Sequence, residues 1–204
     1  MTYQVVSVVP QDKKKLQICL DNGDTFILYK GEANKLSLFE NEVFDDVKYE
    51  QIMTEILGKR ATKRAMYLLE QQERTEKQLR DKLHQNGYPV CCIEQAISYV
   101  KAYHYVDDYR YATTYIRYHQ EKESRQKLTQ KLMMRGISRE VIAQAMEEEF
   151  VADECMQIRD LLRKRGFDMD TSDETVRRKT VQFLMRKGFK SHDIFRVMHL
   201  EEVF

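Results

Sequence analysis

Three segments of this chain share one pattern, in which a helix-forming stretch ends in a glycine that is followed by an apolar or aromatic residue. The segments are residues 79–88, 128–137 and 180–189, and they align without gaps. Their glycines, Gly87, Gly136 and Gly188, are 49 and 52 residues apart, so a unit of about 50 residues occurs three times. This period is typical of arrays of helical units that bury their faces against their neighbours.

Glycine at such a position predicts a left-handed C′ residue at a helix end, because glycine has no Cβ to clash there. In the Schellman arrangement the residue after the glycine contacts the residue four positions before the glycine. Both positions are apolar at the three repeats and at a fourth glycine, Gly166. The pairs are Leu83 with Tyr88, Leu132 with Ile137, Leu184 with Phe189 and Leu162 with Phe167. We therefore predict that helices end at Gly87, Gly136, Gly166 and Gly188.

A second helix follows each repeated glycine. Apolar residues stand six, nine and ten positions after it, which is the spacing of one helix face. These residues are Ile93, Ala96 and Ile97, then Ile142, Ala145 and Met146, then Ile194, Val197 and Met198. A further helix fits upstream, at 61–73, 108–121 and 152–165. Only two prolines and seven glycines interrupt 204 residues. The sequence thus predicts a mainly α fold, an elongated, curved tandem array of three three-helix units.

Side chains able to cap helices stand where several of these helices begin. Two pairs have the spacing of a capping box, in which the first side chain and the residue three positions on satisfy each other's backbone amides. Serines stand at three further helix starts. The candidates are Thr75 with Gln78, Thr171 with Glu174, Ser124, Ser138 and Ser191.

The first 30 residues have a different pattern. A β-branched stretch over 3–9 ends at Pro10, and two alternating stretches, 16–20 and 25–29, flank an Asp-Asn-Gly-Asp turn. This predicts a three-strand segment containing a hairpin, which buries too little alone and must pack on something else. The predicted domains are a β-rich extension at 1–50 and three-helix repeats at 51–104, 105–150 and 151–204.

Charge and composition exclude several classes of protein. The 34 Lys and Arg residues nearly cancel 33 Asp and Glu, and the net charge of +1 gives no general reason to expect an anionic partner. No apolar run is long enough for a membrane span. Four cysteines without a CxxC pair indicate neither disulfides nor a zinc site. We expect no secretory signal and a reducing cytoplasm.

The order of these features resembles the RecX family of bacterial recombination regulators. The stretch Tyr105-Val-Asp107-Asp108-Tyr-Arg-Tyr111-Ala112 is similar to the family's motif between its first and second units. The helix from Thr75 to Leu83 resembles the family's Ser-Arg-x-Glu-Leu pattern, with Gln78 where Glu is usual. Thr180 replaces a leucine in the third unit. The resemblance covers about residues 55–204.

The resemblance implies a regulatory protein, not an enzyme, without cofactor or metal. Family members bind the filament that RecA forms on single-stranded DNA and usually inhibit its ATPase and strand exchange in recombination, DNA repair and the SOS response. A curved array of helices suits the groove of such a filament. The expected partners are RecA and single-stranded DNA, bound directly or through RecA, with no membrane or small-molecule substrate. We expect a cytoplasmic monomer.

Two clusters of basic residues are candidates for contact with RecA or DNA. Residues 51–106 carry nine Lys and Arg against six Asp and Glu, while residues 1–50 have a net charge of −3. Contact with phosphate or an acidic protein surface is one interpretation, and solvated helix faces with internal ion pairs are the other. The candidates are Lys63, Arg64, Arg74, Lys77, Arg80, Lys82, Arg177, Arg178, Lys179, Arg186 and Lys187.

Two further clusters have alternative interpretations. Seven of the twelve tyrosines fall within residues 99–118, where packing between the first two units is favoured over an exposed binding surface. Asp107 and Asp108 are better explained as the charged start of a helix than as metal ligands. No histidine pair, phosphate-binding loop or nucleophile elbow indicates catalysis. The alternative function is a nucleic-acid-binding helical array that acts without RecA.

Overall fold

The chain begins with an antiparallel sheet whose strand order is β3-β2-β1-β4. The computed structural model describes residues 1–168 and 172–199. The strands are β1 (Thr2–Pro10), β2 (Lys15–Leu20), β3 (Thr25–Tyr29) and β4 (Val43–Asp45). The three predicted strands are therefore present. The sequence pattern does not predict β4, which has only three residues and is placed by its pairing with β1, where Phe44 lies opposite Tyr3.

Helices make up the rest of the described chain, which divides into two compact units, Met1–Asp107 and Asp108–Phe204. The first contains α1 (Lys30–Lys35), α2 (Asp46–Glu50), a π-helical segment (Gln51–Gly58), α3 (Lys59–Gln71), α4 (Glu76–Gln85) and α5 (Val90–Ala102). The second contains α6 (Asp108–His119), α7 (Arg125–Met134), α8 (Arg139–Glu149), α9 (Glu154–Lys164), α10 (Glu174–Arg186) and α11 (Ser191–Met198). All these helices are too short or too polar to cross a membrane. The mainly α prediction is confirmed, while an elongated, curved array stays a prediction.

The domain boundary expected at residue 50 falls inside a continuous helical stretch. The α2 helix, the π-helical segment and α3 follow one another without a break from residue 46 to residue 71. This stretch packs against both neighbours, since its buried residues share one core with the sheet and with α5. The sheet contributes Val5, Ile18, Phe26 and Leu28 to that core. The prediction that the β segment must pack on another element is therefore met by the first three-helix unit.

Each three-helix unit has a hydrophobic core built around the repeated positions, and the core of the first unit includes the sheet. Leu79 and Leu83 are buried in the first, Leu128 and Leu132 in the second, and Leu184 in the third. Thr180 is buried where the other two repeats have leucine. The matching face of the following helix is buried in all three, except that Val197 is only half-buried. A fully buried leucine contributes about 2 kcal/mol or more, so these positions account for much of each core.

The four predicted helix ends have both hydrogen bonds of the Schellman arrangement. Gly87, Gly136, Gly166 and Gly188 have φ of +80°, +87°, +64° and +90°. The glycine amide donates to the carbonyl three residues back at 2.9–3.0 Å, and the next amide donates to the carbonyl of the paired leucine at 3.0–3.4 Å. The sequence predicts these ends because the whole motif lies within six residues.

The helix starts agree with the sequence at three places and differ at two. Thr75 and Gln78 form the capping box, and Ser124 and Ser138 accept from the amides three residues on. The N-cap of α11 is Lys190 rather than Ser191, which is the first helical residue. Thr171 lies outside the described residues, and α10 is capped instead by Asp173, which accepts from the Val176 amide at 2.7 Å. Asp153, not predicted, caps α9.

Ser124 also joins the second three-helix unit to the third. Its hydroxyl, which caps α7, donates to the carbonyl of Lys187 at 2.8 Å. Gly188 follows directly, and a Cβ there would lie 2.6 Å from Ser124 Oγ and 3.3 Å from the Lys127 amide nitrogen. A Cβ at Gly166, by contrast, would have no atom within 4 Å. Glycine is therefore required at 188 for the close approach as well as for its positive φ.

We predict that Gly188→Ala destabilises the chain more than Gly166→Ala. Both variants place a Cβ in the left-handed region, at about 1–2 kcal/mol each. Only Gly188→Ala also displaces Ser124. The free energy of unfolding should therefore fall by about 1 kcal/mol more in Gly188→Ala than in Gly166→Ala. Urea unfolding of the full chain measures both. Equal losses in the two variants would contradict the contact at Ser124.

Candidate functional site

The basic candidates of the first three-helix unit are mostly bound to side chains of the same unit. Lys77 pairs with Asp81 at 2.8 Å, one turn away. The Lys82 ammonium donates to Gln85 and the Arg64 guanidinium to Asn86. The Nε of Arg74 is buried without a hydrogen-bond partner in the described structure, and Lys63 is exposed. Most of this cluster therefore follows the interpretation of helix faces with internal partners.

Arg80 is at the centre of an ion-pair network that connects α4 to α5. It binds Glu76 at 2.8 Å and both carboxylate oxygens of Glu94, one of them at 3.0 Å. Lys101 binds Glu76 at 2.6 Å. Burial raises the pKa of Glu76, but the hydrogen bonds from Lys101 and Arg80 outweigh it and lower that pKa. The hydrogen bonds that Arg80 donates to the Glu94 carboxylate raise the pKa of Arg80. Arg80 could bind an outside anion only by leaving these carboxylates.

The third unit has exposed cations on α10 that, unlike Arg80, are not held in an ion-pair network of the described residues. Thr175, Arg178, Lys179, Gln182 and Arg186 recur at the spacing of one helix face, and all five are exposed. Arg178, Lys179 and Arg186 have no hydrogen bond or ion pair with the described part of the chain. Together with Glu174, the first four line a surface recess of about 500 Å³. We call this surface the α10 face. Its cations can bind an anion without breaking an internal pair.

The two remaining basic candidates of this helix lie off the α10 face. Arg177 is half-buried, with its Nε shielded from solvent. Lys187 is exposed at the end of α10, and its ammonium lies 5.7 Å from the centre of the Phe183 ring. The sequence run Arg177-Arg178-Lys179 therefore does not act as one cluster, because successive residues of a helix point in different directions.

Five of the seven clustered tyrosines fall into two groups. Tyr99, Tyr103 and Tyr105 are 43%, 59% and 45% exposed and stack in a row, with ring centres 4.7 and 6.0 Å apart. All three side chains are partly exposed, and packing between the first two units stays a prediction for them. Tyr111 and Tyr115 are half-buried against the second core. The Arg135 guanidinium donates to the Tyr111 hydroxyl at 3.2 Å and lies over the Tyr115 ring.

The stretch shared with the RecX motif begins α6. Asp107 precedes that helix, Asp108 is in its first turn, and Ala112 is fully buried in the second core. Among the described residues, no group of three or more His, Cys, Asp or Glu side chains is placed to hold a metal ion. The cysteines are free thiols. Ala112 thus has a packing position, and the aspartates stand at a helix start.

Three family models match this chain in sequence order. They describe the first three-helix domain of RecX at residues 61–99, the second at 107–146 and the third at 152–198. Each match falls inside one of the three predicted repeats. The matched segments together cover more than half of the 204 residues.

Curated relatives carry the same family name. Regulatory protein RecX of Caldanaerobacter subterraneus subsp. tengcongensis is 26% identical over 199 residues, covering 96% of this chain and 98% of that protein. The protein of that name from Clostridium botulinum is 25% identical over 194 residues, covering 94% and 91%. The match to the Clostridium tetani protein is 28% identical and covers 66% of this chain and 64% of that protein.

Solved structures share the fold. A crystal structure of regulatory protein RecX has a TM-score of 0.63 at 21% identity and covers 97% of this chain and 98% of its own. The crystal structure of RecX from Lactobacillus salivarius has a TM-score of 0.58 at 21% identity, covering 70% and 95%. The same architecture is thus found in proteins whose sequences are about one fifth identical to this chain.

We predict that Arg80→Met destabilises the chain in a pH-dependent way. Loss of the network should cost about 1–2 kcal/mol at neutral pH. The folded-state pKa of Glu76 lies below its usual value of 4.5, so this stabilisation is present above pH 4.5 and is lost as the pH falls through the folded-state pKa. The difference in the free energy of unfolding between wild type and variant should therefore become smaller at acidic pH. Urea unfolding from pH 6 to pH 3 measures it.

The matched control is Lys77→Met, which removes an exposed pair of the same helix and should cost less than about 0.5 kcal/mol. A gap between Arg80→Met and wild type that stays constant down to pH 3 would contradict the assigned role of Glu76.

Proposed function

Because this chain belongs to the RecX family, we propose that it binds the RecA filament on single-stranded DNA and modulates, usually inhibits, its ATPase and strand exchange. The observation that carries the proposal is the match of three RecX three-helix domains, in order, to three units that each have a hydrophobic core. The relatives are named as regulatory proteins. On this proposal the chain is a cytoplasmic monomer that acts by binding in recombination and DNA repair, not by catalysis.

The α10 face supports an electrostatic contribution to this binding. Three cations that form no hydrogen bond or ion pair with the described residues stand on one exposed helix face, and the whole helix contains a single acidic residue, Glu174. Phosphates of DNA or carboxylates of RecA would be neutralised there without the loss of an existing pair. We therefore propose the α10 face, rather than the first-unit cluster around Arg80, as the main basic contact.

The same face supports a second candidate, a nucleic-acid-binding protein that acts without RecA. Binding driven by phosphate contacts weakens steeply with salt, because each neutralised phosphate releases counterions. If this candidate is correct, binding to single-stranded DNA accounts for any effect on RecA. The effect should then disappear when DNA is in large excess over the protein, whereas a contact with RecA would persist.

We predict that the full chain lowers the DNA-dependent ATP hydrolysis of RecA from the same bacterium. The assay uses RecA on single-stranded DNA with increasing amounts of this protein, and repeats the titration at a tenfold higher DNA concentration. Inhibition at a fixed ratio to RecA in both series supports the proposal. An unchanged rate at saturating protein would overturn it.

We predict that the variant Arg178→Gln/Lys179→Gln/Arg186→Gln needs about tenfold more protein for the same inhibition at 0.1 M salt, because three ionic contacts of about 0.5 kcal/mol each are lost. The control is Lys13→Gln/Lys30→Gln/Lys35→Gln, which removes the same charge from exposed residues of the N-terminal segment. Equal weakening of both variants would mean that net charge, not the α10 face, determines binding.

A further inference from the structure

The contact between α7 and the turn after α10 joins the start of one helix to the glycine-closed end of another. The Ser124 hydroxyl donates to the Lys187 carbonyl at 2.8 Å, and the buried Gly188 lies against the first turn of α7. A Cβ at Gly188 would lie 2.6 Å from Ser124 Oγ and 3.5 Å from Gln126 Cβ. We call Ser124, Gln126 and Lys127 the α7 docking surface. It receives a helix end only where that position has no side chain.

The third unit has a matching surface on α10. When the repeats are aligned on their glycines, residues 124, 126 and 127 correspond to residues 52 positions further along the chain. These residues are Val176, Arg178 and Lys179, and all three are exposed in the described structure. Arg178 and Lys179 line the recess of the α10 face together with Glu174, Thr175 and Gln182. The surface that holds a helix end in the second unit is therefore open in the third.

The chemistry of this open surface fits the carboxyl end of a helix. The last carbonyls of a helix have no intrahelical partners and a partial negative charge. In the second unit a hydroxyl donates to such a carbonyl, whereas Val176 occupies the position of Ser124 and has no side-chain donor. Arg178 and Lys179 form no hydrogen bond or ion pair with the described residues, so they can donate to these carbonyls instead.

The glycine turns of this chain argue against a second copy as the occupant of the recess. A Cβ at Gly87 would lie 2.5 Å from Ile27 Cδ1, so β3 covers the turn after α4. Gly188 is covered by the α7 docking surface. The turns at Gly136 and Gly166 each follow an arginine, which would add positive charge to a face that already has three cations. The helix end of a different protein is free of these constraints.

We propose that the recess of the α10 face binds the glycine-closed carboxyl end of a helix on a partner protein, with Arg178 and Lys179 donating to its last carbonyls. This inference rests on the proposed function, because it takes RecA as that protein. It differs from binding to carboxylates or phosphates, since it requires a fit of shape and a glycine in the partner. The affinity therefore depends on an open recess as well as on its charge.

The first test places a photo-cross-linking residue in the recess. The full chain with the substitution Gln182→p-benzoylphenylalanine is bound to RecA filaments on single-stranded DNA and irradiated, and the joined peptide is identified by mass spectrometry. We expect the cross-link in a segment of RecA where a helix ends at a glycine. A cross-link to another segment of RecA, to DNA or to a second copy of this chain would overturn the inference, as would the absence of any cross-link.

The second test fills the recess without changing its charge. Thr175→Trp should weaken binding of the full chain to RecA filaments about fivefold or more, because the indole occupies the place of the helix end. Gln144→Trp is the control, since it adds the same ring at an exposed position of α8, and it should bind like wild type. Thermal unfolding checks that both variants are folded.

The outcomes of the second test separate the inference from the proposed function. Weakening by Thr175→Trp alone supports the inference. If Thr175→Trp binds like wild type, or if both variants are weakened equally, the inference fails and the proposed function stands. The absence of binding by wild type would overturn both.

Discussion

The rest of this structure depends on the glycine-closed helix end. At each such end a left-handed glycine turns the chain, and the apolar residue after it contacts a leucine one turn back. The two backbone hydrogen bonds of this arrangement join residues that are close in sequence. They nevertheless set the direction of the next helix. Three helices can then surround Leu79 and Leu83, or their counterparts in the other units. A repeated local motif thereby determines a repeated core.

The distribution of charge separates residues that hold the protein together from residues that are available to a partner. Arg80 stabilises the contact of α4 with α5 and is surrounded by carboxylates. Arg178, Lys179 and Arg186 form no ion pair with the described residues and are exposed to water. The net charge of +1 does not show this difference, because it counts paired and unpaired charges alike. Pairing, rather than the number of basic residues, distinguishes the first unit from the third.

The sequence predicts those structural features that depend only on a few residues close together in the chain. Helix ends at glycines, the capping box at Thr75 and the buried repeat positions all belong to this class. The strand β4 could not be predicted, because three residues become a strand only through pairing with β1. Nor could the sequence show which cations are paired, since Arg80 meets Glu94 across two helices. The exposure of Tyr99 and Tyr103 likewise depends on what the fold leaves uncovered.

The joint at Ser124 is made without the lysine side chains that surround it. Ser124 binds a main-chain carbonyl, and the residue that fits against it is a glycine with no side chain. The lysines around the joint can therefore be exchanged over evolutionary time while the two units keep their attachment. Such independence lets surface chemistry diverge on a constant scaffold, in keeping with solved relatives that retain the fold at 21% identity.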